Sequence, residues 1–79
     1  MIYKFETSHC PMCKQAERLL KKHKVIYQSV DAEKADAYVE FYGIHAVPCL
    51  IEADSLGEPA KKICRVPQSE VMLVDFLNT

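Results

Sequence analysis

Cys10 and Cys13 stand either side of Pro11-Met12, and two thiols at that spacing suit thiol–disulfide chemistry or capture of a soft metal ion. The pair lies between a short apolar run, Met1 to Phe5, and a helix-like run, Lys14 to Lys22. Between a strand and a helix, Cys-x-x-Cys reads as a redox motif. In a helix begun at Pro11, Cys10 is the N-cap and Cys13 lies in the first turn. Proline suits the first helical position, because the N–H it lacks would have no partner there and its φ is already helical. The free N–H groups of that end and the positive end of the helix dipole favour a thiolate on Cys10. Thiolates are the nucleophiles of this chemistry, and Cys-x-x-Cys sites at helix starts have pKa values lowered to roughly 3.5–7.5. One helical turn brings the Cys13 sulfur close enough to close a disulfide. The expected cycle is attack by Cys10 on a partner disulfide, a mixed disulfide, then release by Cys13. Lys14 adds a positive charge nearby, and His9 either tunes the site or lies on the surface beside it.

These residues need a strand to hold the loop and a helix to hold the thiols. Ile2 to Glu6 reads as the first strand. Ala16, Leu19, Leu20 and His23 recur at helical spacing, so Pro11 to His23 is expected as an amphipathic helix. Lys21, Lys22 and Lys24 cluster at its end, where cations complement the dipole, and read as a solvated helix end. Val25 to Val30 is β-rich and is expected parallel to the first strand. Asp31 follows as the cap of a second helix, with Ala35, Tyr38, Val39 and Tyr42 as its apolar face and Gly43 as its stop. Pro48 to Ala53 is a third strand, since a proline belongs at a strand start or edge. Asp54 to Pro59 is a turn cluster, so Ala60 to Val66 is expected to return antiparallel. Pro67 breaks that strand. Ser69 to Leu77 is a last helix, with Val71, Met72, Val74, Phe76 and Leu77 towards the sheet. The expected order is βαβαββα, in one α/β domain over residues 1–79.

The chain of 79 residues carries a formal net charge of −1, which argues against a general nucleic-acid binder. A chain of this length buries only about 60–65% of its unfolded surface. Met1 to Phe5 includes Lys4, and no long apolar run follows, so neither a signal peptide nor a membrane span is expected. A cytoplasmic location is the expectation, and there a Cys-x-x-Cys is catalytic or metal-binding rather than structural. The other two cysteines, Cys49 and Cys64, fall on the two strands of the expected hairpin. They read as buried free thiols, a cysteine being a small hydrophobe that cores accept readily. A cross-strand disulfide is the alternative.

Cys10-Pro11-Met12-Cys13 after a first strand, with Val47-Pro48 before a later one, resembles the thioredoxin/glutaredoxin superfamily over nearly the whole chain. The resemblance implies a thioredoxin-fold core, with a four-stranded mixed sheet and three helices. It also implies a cis Val47-Pro48 bond facing the Cys-x-x-Cys. The compact length and the Cys-Pro-x-Cys type resemble glutaredoxins. Thr7, Ala46 and Arg65 to Ser69 depart from them. Thr7 stands where they carry a basic residue, Ala46 where they carry Thr, and Arg65 to Ser69 lacks their Gly-Gly turn and Asp, which hold glutathione. Gly43 to Pro48 and Arg65 to Val71 resemble thioredoxins instead. His9 and Pro11-Met12 depart from thioredoxins, as does the missing match for their buried acid.

The resemblance implies a protein-disulfide reductase in which Cys10 is the nucleophile and Cys13 the resolving thiol. His9, Pro11, Met12, Val47 and Pro48 would form the substrate-binding surface. No bound cofactor is implied; the redox group is the Cys10–Cys13 disulfide, with electrons ultimately from NADPH. A thioredoxin reductase-like enzyme or glutathione would deliver them. Disulfide-bearing proteins would be the partners of a monomer. The chain is similar to the small redoxins of bacteria and phages that donate electrons to ribonucleotide reductase. A glutathione-dependent glutaredoxin is the alternative within the superfamily. From another class, a Cu(I) carrier also places Cys-x-x-Cys between strand and helix, although Ser8 stands where such carriers have Met. A zinc site would draw on Cys10, Cys13, Cys49 and Cys64 together.

Overall fold

Alternation along Ile2–Glu6 sets the two faces of the sheet. Successive side chains of a strand point to opposite faces, so Ile2 joins one apolar cluster while Tyr3 and Phe5 join another. The computed structural model describes residues 1–64 and 70–78. The elements run β1 (Ile2–Glu6), α1 (Pro11–Lys22), β2 (Tyr27–Asp31), α2 (Asp36–Phe41), β3 (Cys49–Glu52), β4 (Lys61–Cys64) and α3 (Glu70–Asn78). This is the expected βαβαββα order. The strands lie in the order β2-β1-β3-β4. β1 pairs parallel with β2, while β1–β3 and β3–β4 are antiparallel.

One face of this mixed sheet buries Ala16 and Leu20 of α1 with Leu50, Leu73 and Phe76. The other gathers Tyr3, Phe5, Cys49, Ile51 and Ile44, with Ala35, Val39 and Tyr42 packed against them. Each helix therefore covers the sheet with one apolar side, as its periodicity requires. α3 departs from the sequence reading. Leu73 and Phe76 are its buried residues, whereas Val71 and Met72 are exposed. Ser69, the expected first residue of that helix, lies outside the described residues, as do Val66 and Pro67 at the expected end of the hairpin.

Three boundaries move for local reasons. The N–H groups of His23, Lys24 and Val25 donate back to the carbonyls of Leu19, Lys21 and Leu20. Lys24 takes a left-handed φ of 56° to allow it, and β2 starts at Tyr27 rather than Val25. Asp31 does not cap α2. It is the last residue of β2, and its carboxylate accepts the N–H of Glu33 at 2.9 Å, an Asx-type turn that delays the helix. α2 begins at Asp36 and has no side-chain cap. Its other end stops at Gly43 as expected, at φ 62°. There the Lys62 ammonium donates to the carbonyls of Tyr42 and Gly43 at 2.7 and 3.2 Å. The Tyr42 hydroxyl donates to Glu58 O and accepts from Gly57 N, so α2 and the β3–β4 turn hold one another.

Cys49 and Cys64 are not the free thiols expected from the sequence. They are directly opposite in the β3–β4 register and form a disulfide, with Cα atoms 4.1 Å apart. The free-thiol reading fails because one register, invisible to local pattern, places the two sulfurs face to face.

Candidate active site at the start of α1

β1 ends at Glu6, and the chain turns through Thr7 and Ser8 to deliver Cys10 at the head of α1. Cys10 is the N-cap in extended backbone, and Pro11 follows at the first helical position. The Cys10 carbonyl accepts from the N–H groups of Cys13 and Lys14 at 3.1 and 3.3 Å. Its sulfur accepts from Cys13 N at 3.0 Å. A helix start leaves N–H groups without intrahelical partners, and here one of them is aimed at the sulfur of Cys10. Cys10 and Cys13 form a disulfide with Cα atoms 5.2 Å apart.

The two sulfurs differ in access. Cys10 is half-buried, while Cys13 is 3% exposed on the inner face of α1. A shallow concavity of about 340 Å³ opens beside Cys10, lined by Ser8, His9, Pro11 and Lys14. His9, Pro11 and Met12 are exposed around the cysteine pair. From the far side, Val47-Pro48 is a cis peptide, and the Val47 carbonyl lies 3.9 Å from Cys10 Sγ. Pro48 is buried. Two segments 37 residues apart thus meet at one sulfur. Arg65 to Ser69, the stretch that departs from glutaredoxins, lies outside the described residues.

Lys4 and Glu6 were not singled out from the sequence. They point to the same face of β1, and Lys4, 2% exposed, pairs through Nζ with Glu6 Oε1. A buried ammonium needs such a partner. Its Nζ also stands 5.7 Å from the centre of the Tyr27 ring, a cation–π distance. Both residues line a cleft of about 150 Å³ with Thr7, Cys10, Cys13 and Glu17, so the inner side of the disulfide faces a charged pair rather than plain apolar core. The sequence signal was available: a charge at the second of three inward positions, Ile2, Lys4 and Glu6. Further along α1, the Lys21 ammonium, 2.8 Å from Glu17, holds that carboxyl below its ordinary value.

The four cysteines are split into two pairs and do not form a single four-thiol cluster. Among the described residues, no three His, Cys, Asp or Glu side chains come together as metal ligands.

The glutaredoxin family model matches residues 1–54, the span that contains β1, the Cys-x-x-Cys, α1, the Val47-Pro48 bond and β3. The chain belongs to the glutaredoxin family. No curated protein sequence gives a significant match. Among solved structures, it is similar to Deadhead, a germline-specific thioredoxin of Drosophila melanogaster, with 17% identity and a TM-score of 0.71 over 96% of this chain and 75% of that one. A mutant thioredoxin of Halobacterium salinarum NRC-1 gives 24% identity and a TM-score of 0.72, over 95% and 68% of the two chains. Thioredoxin 1 of Thermosipho africanus TCF52B gives 20% and 0.66, over 96% and 88%. At these identities the structural likeness establishes the thioredoxin fold. With the cysteine pair at disulfide distance, this member of the glutaredoxin family is a thiol-redox protein.

Proposed function

We propose that the protein reduces disulfides of other proteins through Cys10 and Cys13. The observation that carries this reading is the asymmetry at the head of α1. Cys10 is reachable, receives an N–H on its sulfur and faces the Val47 carbonyl, whereas Cys13 is buried one turn behind it. In the reduced protein the Cys10 thiolate attacks one sulfur of a substrate disulfide. The other substrate sulfur leaves as a thiolate and takes up a proton. Cys13 then loses its proton and attacks Cys10 Sγ, which expels the second substrate thiol and leaves Cys10–Cys13 oxidised. Two electrons have passed to the substrate. His9, Pro11 and Met12 on one side and Val47 and Pro48 on the other form the surface on which the substrate lies.

The disulfide is recharged by a thioredoxin reductase-like enzyme, with NADPH as the ultimate donor. Support comes from residues a glutathione site would need: Thr7 supplies no charge for a carboxylate, and Arg65 to Ser69 offers no Gly-Gly-Asp turn. Charged groups of a ligand need charged or hydrogen-bonding partners. Ribonucleotide reductase is the proposed class of target, in a cytoplasmic setting, with the redoxin acting as a monomer. Membership in the glutaredoxin family favours a second reading, glutathione as the donor.

Insulin reduction with NADPH separates the two readings. One reaction is coupled through thioredoxin reductase, the other through glutathione and glutathione reductase. Turnover with thioredoxin reductase alone, abolished by Cys10→Ser, is the expected result. Turnover with glutathione alone would replace the first reading by the second. Activity with neither, together with stoichiometric Cu(I) binding, would move the protein to the metal-carrier class.

A further inference from the structure

The Cys49–Cys64 disulfide lies on the face of the sheet that packs against α2, with Phe5 opposite Cys49 on β1. Its two sulfurs have different surroundings. Cys49 is 0% exposed on an inner strand. Cys64 is half-buried on β4, the edge strand. A concavity of about 310 Å³ opens at Cys64, lined by Gly43, His45, Ala46 and Lys62.

We propose that Cys49–Cys64 is a second thiol–disulfide exchange centre, entered at Cys64 by a low-molecular-weight thiol. Three observations carry it. First, Cys64 borders an open space of about 310 Å³, large enough for a small thiol, and the cationic Lys62 that also lines it favours an approaching thiolate. Second, the reduced state is already provided for. Cys49 Sγ lies 3.0 Å from the Ala46 carbonyl, so a Cys49 S–H has an acceptor and leaves no buried donor unpaired. Third, opening the bond does not release the hairpin. Leu50–Ile63, Ile51–Lys62 and Glu52–Lys61 remain paired beyond it, and Tyr42 still ties α2 to the turn.

A thiolate of the small thiol attacks Cys64 Sγ. The Cys49–Cys64 bond breaks, and Cys49 leaves as a thiolate that is protonated from solvent. A second molecule of the thiol attacks the mixed disulfide at the small-molecule sulfur, releasing Cys64 as a thiol and the small molecule as its disulfide. Two thiols are oxidised and one protein disulfide is reduced. Expelling a thiolate into a buried site is unfavourable, so this centre exchanges more slowly than Cys10–Cys13.

The test uses the full chain carrying Cys10→Ser and Cys13→Ser, so that its outcome does not depend on the first pair. This folded variant, without denaturant, is incubated in buffers of reduced and oxidised glutathione at varied ratios, quenched with acid, alkylated and mapped by mass spectrometry. The expected result is reversible interconversion of disulfide and dithiol, with a glutathione adduct on Cys64 only and an unchanged far-UV circular dichroism spectrum. A pair that stays closed until denaturant is added, an adduct on Cys49, or a dithiol that oxidised glutathione cannot close would each overturn the proposal. A second pair of variants gives an independent reading. With Cys49→Ala added, Cys64 should be alkylated in the native protein at least about tenfold faster than Cys49 is with Cys64→Ala added. Equal rates would also overturn it.

Discussion

The backbone N–H of Cys13 donates to the sulfur of Cys10 at 3.0 Å, and this contact gives the two cysteines unequal chemistry. When the pair is reduced, the same N–H and the helix dipole stabilise negative charge on Cys10. Cys13 lies on the buried face of the helix and borders the inner cleft. Iodoacetamide should therefore alkylate Cys10 of the reduced protein at pH 6 many times faster than free cysteine, and Cys13 hardly at all. With Cys13→Ser, a disulfide substrate should remain covalently attached to Cys10, visible as a mass adduct that dithiothreitol removes. Preferential labelling of Cys13 would reverse the assigned roles.

The Lys4–Glu6 pair supports a prediction on stability. Lys4 is almost fully enclosed, whereas Glu6 keeps 30% of its side chain exposed. Removing the carboxylate charge takes from a buried ammonium the counter-charge it is bonded to, so Glu6→Gln should cost about 1–3 kcal/mol in urea unfolding. Lys4→Met keeps much of the volume and removes the charge that needs compensation, and should be near neutral. Equal losses in both variants would mean that the methylene packing of Lys4, and not its charge, is what Glu6 protects.

The sequence revealed the head of α1 because its signals are local. Proline at the first helical position, a cysteine before it and a helical apolar period after it all lie within a few residues. Gly43 was equally legible, since the left-handed backbone at a helix end favours glycine. Lys24 takes the same kind of φ with no glycine to announce it, and the start of β2 was misplaced as a result. The Cys49–Cys64 bond was hidden for a different reason. Both strands were recognised, but a shift of one residue in register would have turned one sulfur to the opposite face, and register is fixed by packing over the whole sheet. Lys4 was passed over because a lysine in a short strand ordinarily marks solvent. Only the third dimension shows that Glu6 and Tyr27 make its burial tolerable.

Leu20 and Leu50 bring α1 and β3 together under the site, and both are almost wholly enclosed. Leu50→Ala removes apolar contact from the central part of that core and should cost about 2–5 kcal/mol. In a domain this small, such a loss is a large share of total stability. The midpoint of urea unfolding should fall accordingly, while Val71→Ala on the exposed side of α3 should change it by no more than about 0.5 kcal/mol. Similar effects at the two positions would mean that α3 packs differently from this arrangement.

Glu70 at the start of α3 ties that helix to the end of α1. Its carboxylate accepts from Lys22 Nζ at 2.5 Å and lies 3.1 Å from His23 Nε2. Those partners, Lys22 first, hold its pKa below the ordinary value of 4.5. A carboxyl whose pKa is lowered by folding binds protons less readily in the native state than in the unfolded chain, so stability falls as acid is added. The contribution is fully present above pH 4.5 and is lost as pH falls through the lower native value. Glu70→Gln should therefore lower the melting temperature modestly at about pH 7, with a smaller effect in high salt because the groups face solvent. At about pH 3 the difference between variant and parent should shrink. A difference that persisted undiminished in acid would show that Glu70 acts through packing rather than through its charge.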